Sequence, residues 1–455
     1  MKKLAVLNVV GLTEDHLGVH TPNISKYLSS HFLSTLEPPF PAVTSTVQST
    51  ILTGFEPCKH GVVANGWHER STHETHFWRQ SNDLVQAEKV WDTLKKIDST
   101  ATIANLFWWF NMYSTVDIAV TPRPVYCANG RKIPDIWTTP TSLRDSLQDK
   151  LGRFPLFHFW GPAASIKSSQ WIAKAAIEIE SSFEPTLSLV YLPHLDYPLQ
   201  RVGPDHDSIP SELRSIDRIV GELIDFYQSK DIGVCILSEY GIQQVQGAIA
   251  INRVLRDNGL LSIKEECSRE YLDEANSKAF AVPDHQVAHV YIRDACDIDR
   301  VKTLLNSVDG IDEVLESKDS QSIRHERSGE LIAISSHNKW FSHDWWTKEA
   351  KAPDYQQTVD IHKKPGYDPR ELFLARGWKG SKMRIAYKLL MRKLGSNTPL
   401  DVITVDASRV KGSHGRTPTM GAPSPIIIAP SHAKKMPQSL PAAAVKDLMI
   451  EWIIS

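Results

Sequence analysis

The chain has almost no excess charge of either sign: 51 Lys and Arg stand against 53 Asp and Glu, a formal net charge of −2 over 455 residues. That balance leaves no electrostatic footprint for nucleic acid or an anionic membrane, so neither is an expected partner. Cysteine is scarce and odd in number: Cys58, Cys127, Cys235, Cys267 and Cys296 lie scattered, with no CxxC pair. This argues against a disulfide framework and a structural zinc cluster, and fits a reducing compartment. No apolar run is long enough to span a bilayer. The opening MKKLAVLNVVGL stops at Thr13-Glu14-Asp15 without a small-residue cleavage site, so it reads as a buried first strand, not a signal peptide. The expectation is a soluble cytoplasmic protein. Repeats, heptads and low-complexity tracts are absent as well.

What is present is length, enough for two to three domain-sized units or one large α/β domain with insertions. The densest chemistry lies in Pro39–Gly61, PFPAVTSTVQSTILTGFEPCKHG. A proline-fixed turn leads into Thr44, Ser45 and Thr46, and a short apolar run ends at Thr53-Gly54 before His60-Gly61. Hydroxyls at a helix start sit among unpaired N–H groups that suit a phosphate, and Thr44 there is a candidate nucleophile. An ST-rich N-cap is the plain alternative.

Strands over 4–10, 101–106, 187–192 and 233–238 alternate with helices after Thr21-Pro22 and over 84–97, 169–182 and 211–229. Strand–helix alternation predicts a parallel sheet covered on both faces, with ligands beyond the strands' carboxyl ends. Residues 1–285 read as the first part of this core, with a surface excursion at 115–165 that holds Arg123, Arg131 and Lys132. Residues 286–335 read as a small α+β insertion, and 336–455 as the completion of the core, with a site loop at 359–369.

Polar residues follow the expected strands. Asp196 and Gln200 come after 187–192, Glu239 and Tyr240 after 233–238, and His414 sits in a glycine-flanked turn, VKGSHG. Asn8 shares a face with Val10 by period-two alternation. Taken singly, each is as well explained by a helix cap or a surface turn. AVPDHQVAH offers Asp284, His285 and His289, but two histidines four apart on a strand lie about 13 Å from each other, too far for one metal.

The joint order of these stretches resembles the alkaline phosphatase superfamily, most closely its nucleotide pyrophosphatase/phosphodiesterase branch. The resemblance rests on Thr21-Pro22-Asn23, on FPAVT with Thr44 in the nucleophile position, and on LTG at 52–54 and HG at 60–61. It continues with Asp196 and the later Gly203-Pro204, with Ser238 and Gly241, and with Ser413-His414-Gly415. It implies an α/β fold, a mostly parallel sheet sandwiched by helices, and a two-metal phosphate-ester hydrolase, usually with zinc. Several metal-ligand positions depart from the family. Val10 replaces the first-strand aspartate, Gln200 a histidine and Glu239-Tyr240 an Asp-His pair, while Val47 stands where an asparagine helps hold phosphate. The metal candidates are therefore Asp196, Gln200, Glu239, Tyr240, His414 and Asn8. Loss of imidazoles shifts preference from zinc toward magnesium or manganese, or abolishes binding.

The expected activity is metal-dependent hydrolysis of a small phosphate ester, of the phosphodiesterase or nucleotide pyrophosphatase type, with Thr44 as nucleophile, a metal held by Asp196, His414 and Gln200 or Glu239 activating it, and Glu239 as base if only one metal binds. Asn65, His362 and Lys363 are substrate-binding candidates. The alternative is a repurposed scaffold that has lost the dinuclear site and binds an anionic or aromatic metabolite without phosphoryl transfer.

Overall fold

The computed structural model describes residues 1–128, 132–375, 377–396 and 398–455, without the side chains of 377–379 and 392; Arg131 lies outside them. A nine-stranded sheet forms the centre. In spatial order its strands are Ser439–Pro441, Leu33–Glu37, Ile426–Ile428, Gly233–Leu237, Leu4–Val9, Leu187–Leu192, Ile103–Leu106, Ile118–Pro122 and Ile136–Thr139. The first strand pairs in parallel with Leu187–Leu192 on one side and Gly233–Leu237 on the other. Its six residues are all buried, as a continuous apolar run in a doubly covered sheet requires.

Amphipathic helices cover the sheet. Ile209–Ser229 buries Ile209, Leu213, Ile216, Val220, Leu223 and Tyr227, one stripe at three-to-four-residue spacing. Asp217 of that helix reaches the start of Pro22–Leu28, accepting from the amides of Asn23 at 3.1 Å and Ile24 at 2.9 Å. A carboxylate at a helix N-terminus satisfies donors that the helix cannot pair itself, which explains the Thr-Pro-Asn start.

Two stretches differ from expectation. The excursion begins later than 115, because Ile118–Pro122 and Ile136–Thr139 are the last two strands of the central sheet. The small α+β unit begins at Ala279 and not at 286. Its four-stranded antiparallel sheet runs Ala279–Asp284, Val287–Ile292, Leu331–Ser335, Ile311–Glu316, with the helix Ile298–Asn306. Pro283 obscured the first of these strands, since proline argues against a strand interior. The hairpin between the first two turns at His285, whose φ is +62°.

Candidate active site

Parallel pairing brings the carboxyl ends of Leu4–Val9, Leu187–Leu192 and Gly233–Leu237 to one edge, and with them Asn8, Asp196, Glu239 and Tyr240. The ten-residue helix Thr44–Thr53 starts there, its first residue Thr44. His414 arrives on a turn whose Gly412 packs on the backbone of Leu199, an approach that any Cβ would block. All these residues are buried; Thr44 is 4% exposed.

The hydroxyls form a line. Thr44 Oγ1 lies 2.9 Å from the Tyr240 hydroxyl, which donates to Asp196 Oδ1 at 3.2 Å. The other Asp196 oxygen accepts from Gln200 Nε2 at 2.7 Å, and the Gln200 carbonyl oxygen accepts from the Tyr367 hydroxyl at 2.8 Å. Burial pushes Asp196 up to about 7, against the lowering effect of the Gln200 and Tyr240 donors.

Glu239 occupies a second cluster. Its Oε1 accepts from Asn8 Nδ2 and from Gln48 Nε2, both at 2.6 Å. The Trp109 amide donates to Gln48 Oε1 at 2.7 Å and so fixes which end of that side chain faces Glu239. Glu239 Oε2 has no hydrogen-bond partner among the described residues. Burial pushes this acid up to about 8, so the neutral acid is its resident form at neutral pH.

Four rings stack in a column beside these groups. Tyr240 lies on His414 with centroids 3.6 Å apart and planes 8° apart; His414 meets His285 at 3.6 Å, and His285 meets Tyr367 at 3.7 Å. His414 Nδ1 faces the Ala42 carbonyl at 2.8 Å, which assigns that nitrogen the proton. Burial holds His414 down to about 3 and His285 well below its ordinary value, with the His414 neighbour adding to the latter. Both rings are neutral.

The donors do not fit a two-metal centre. Both Asp196 oxygens and the Gln200 carbonyl are already hydrogen-bonded, Tyr240 presents a ring face to His414, and Val10 offers no ligand atom. Among the described residues no group of three or more His, Cys, Asp or Glu is arranged to hold a metal ion. The set Asp196, Gln200, Glu239, Tyr240, His414 and Asn8 is brought together at one edge of the sheet, in two hydrogen-bonded groups and a ring stack.

Of the substrate-binding candidates, Asn65 adjoins the nucleophile turn. Its Oδ1 accepts from the Ser45 amide at 2.9 Å, while its own amide and Nδ2 donate to Asp284 at 2.7 and 3.1 Å. His362 turns instead to the Phe77 carbonyl and the Tyr126 ring, and Lys363 is exposed beside Asp360. The neighbouring Lys364 is the buried cation, 2.8 Å from both Asp368 and Glu371. His289 faces Val63 and Gly329, apart from the His285 stack. Gln48 and Tyr367 were not among the site residues the sequence pointed to. Gln48 had a signal, since it lies four residues after Thr44 and hence on the same helix face.

Residues 4–368 match the family model described as type I phosphodiesterase / nucleotide pyrophosphatase. An uncharacterized pyrophosphatase/phosphodiesterase of Schizosaccharomyces pombe is 23% identical over 244 residues, 52% of this chain and 44% of that protein, so the chain aligns with under half of that curated relative. Murine ectonucleotide pyrophosphatase/phosphodiesterase 5, solved as an inactive form with AMP, is 14% identical with a TM-score of 0.60, covering 100% of this chain and 95% of that one. Phosphonoacetate hydrolase of Sinorhizobium meliloti with phosphonoacetate is likewise 14% identical, with a TM-score of 0.61 over 99% of this chain and 96% of that one. At such identities these structures share the fold. The match over residues 4–368 places the chain in the type I phosphodiesterase / nucleotide pyrophosphatase family, a family of phosphoric ester hydrolases.

Proposed function

We propose that the chain hydrolyses small phosphate-containing esters, as a phosphodiesterase or pyrophosphatase, with Thr44 attacking phosphorus and no dinuclear zinc centre assisting it. The observation that carries this reading is the line Thr44–Tyr240–Asp196. As the Thr44 Oγ1–P bond forms, the Thr44 proton passes to the Tyr240 oxygen while the Tyr240 proton passes to ionised Asp196. The P–O bond to the leaving alcohol or phosphate breaks, and that group departs. Water then attacks phosphorus and the Thr44 Oγ1–P bond breaks; the relay runs backward to return the Asp196 proton to Thr44, while the proton that the water loses passes through solvent to the departed group, which left as its anion.

Glu239 has a different part from the base expected of it. As a neutral acid with an unpartnered buried oxygen, it donates to a phosphoryl oxygen and stabilises the charge that gathers there. First-turn amides of Thr44–Thr53 complete the cradle, except that of Ser45, which donates to Asn65 Oδ1. No described helix is long and apolar enough to cross a membrane.

The test is turnover of bis-p-nitrophenyl phosphate together with mass spectrometry of the quenched protein. A phosphorylated Thr44 peptide, lost with all turnover in Thr44→Ala, supports the reading. Turnover that survives Thr44→Ala contradicts it. A second reading, a binder without phosphoryl transfer, is favoured by the depth of burial of Thr44 and the closed ring column. It predicts ligand binding with no turnover and no phosphothreonine.

A further inference from the structure

Residues 376–400 carry seven Lys and Arg and no Asp or Glu, in a chain whose net charge is −2. Most of this tract is the helix Gly377–Lys393, which follows the last family-matched residue, Asp368. Its two stems are tied together. The Ala375 amide donates to the Val402 carbonyl at 2.9 Å, and Leu374 bridges Ile403 in antiparallel fashion. Leu374, Val402 and Ile403 form a small apolar cluster with Val359 and Ile385. Asp401 at the stem pairs with Arg384, at 2.8 Å, and with Lys388. One side of the helix is therefore docked.

The other side is apolar and open. At about 100° per residue, Met383, Tyr387, Leu390 and Leu394 fall in a stripe roughly 60° wide. They are 76%, 61%, 55% and 72% exposed. The Leu394 amide donates to the Leu390 carbonyl at 3.0 Å, which carries the stripe past the last helical residue. Exposed Lys382 and Lys393 lie along one flank of it. Leu389 of the same helix is exposed off the stripe, Val125 and Tyr126 form an adjacent pair, and others such as Val19, Phe55, Phe157 and Ile454 are single.

We propose that this helix docks the protein on an anionic lipid surface, lying flat in the headgroup layer. A convex row of four apolar side chains suits a fluid apolar layer, and a tract of seven cations that contains no acid in its own sequence matches anionic headgroups. Whole-chain charge conceals this feature, because acidic residues elsewhere cancel the tract.

Flotation of the full-length protein with phosphatidylcholine vesicles, with and without phosphatidylserine, tests it. The wild type partitions onto phosphatidylserine vesicles alone and is released as salt is raised. Lys382→Glu and Lys393→Glu each weaken partitioning by about fivefold or more. The fourfold variant Met383→Ser, Tyr387→Ser, Leu390→Ser, Leu394→Ser abolishes it. All six positions are exposed, and an unchanged melting temperature shows that the variants fold. Failure of the wild type to float, equal flotation of the stripe variant, or a dimer that the stripe variant breaks without vesicle binding overturns the proposal. The result is independent of turnover.

Discussion

The Tyr240 ring lies flat on the His414 imidazole, 3.6 Å between centroids, while its hydroxyl joins Thr44 Oγ1 to Asp196 Oδ1. One side chain thus fills space with its face and connects a nucleophile to a carboxylate with its edge. The two contributions separate by mutation.

Tyr240→Phe keeps the ring and removes the hydroxyl. The expected outcome is a fall of roughly 100-fold or more in kcat, the usual worth of a positioned proton-transfer group. Binding of an unreactive analogue and the melting temperature should change little. Measured kcat, KM and thermal unfolding check this, and kcat equal to wild type would remove Tyr240 from the reaction.

The relay needs Asp196 ionised and Glu239 protonated. Asp196 sits at about 7 and Glu239 at about 8, so kcat/KM should rise through pH 7 and fall through pH 8, a narrow bell belonging to the coupled pair. Glu239→Gln keeps an acceptor for Asn8 and Gln48 and a donor for phosphate, and should extend the plateau above pH 8. A falling limb unchanged in that variant would assign the limb elsewhere.

Stability should depend on pH through the same groups. Asp196 and Asp284 are raised by burial to about 7 and Glu239 to about 8, above their values in an unfolded chain. Their contribution is fully present below the unfolded values and is lost as pH rises through the folded ones. Each loses about 1.4 kcal/mol per pH unit over that interval. His60 and His414, both held near 3, act in the opposite sense only below their ordinary 6.5. Urea unfolding midpoints should therefore fall from pH 6.5 to about pH 9, and Glu239→Gln should flatten the upper part of the decline.

The loop that supplies Tyr367 is held by buried ions. Arg370, fully buried, meets Asp344 and Asp368 at 2.7 Å each, and Lys364 adds to the same network. Burial alone would raise Asp368; the two cations overcome it and hold that carboxyl far below its usual range. Arg370→Ala strands Asp344 and leaves Asp368 only Lys364 as a cationic partner, and should cost about 3–5 kcal/mol, read from the urea midpoint. A loss below 1 kcal/mol, on the order of an exposed pair, would contradict it.

The sheet was legible because its strands are unbroken apolar runs bounded by turns, and Leu187–Leu192 agrees with its expected span residue for residue. Gathering Asp196, Glu239 and Tyr240 at one edge also follows from parallel order alone. What those residues do to one another was not legible. The stack of His414 on His285 depends on a hairpin turn with φ +62° at a histidine, which no periodicity signals. The protonation of Glu239 depends on burial, a property of the folded chain. The charged run 359–369 does not itself show which lysine is buried: Lys363 is exposed, whereas Lys364, one position along, is buried between Asp368 and Glu371.

The most direct test of the central claim is turnover of bis-p-nitrophenyl phosphate after exhaustive dialysis against a chelator, with Tyr240→Phe in parallel. Turnover that persists in the chelated wild type and collapses in Tyr240→Phe is the result expected of a proton relay. Turnover abolished by the chelator, restored by zinc and indifferent to Tyr240→Phe would contradict it.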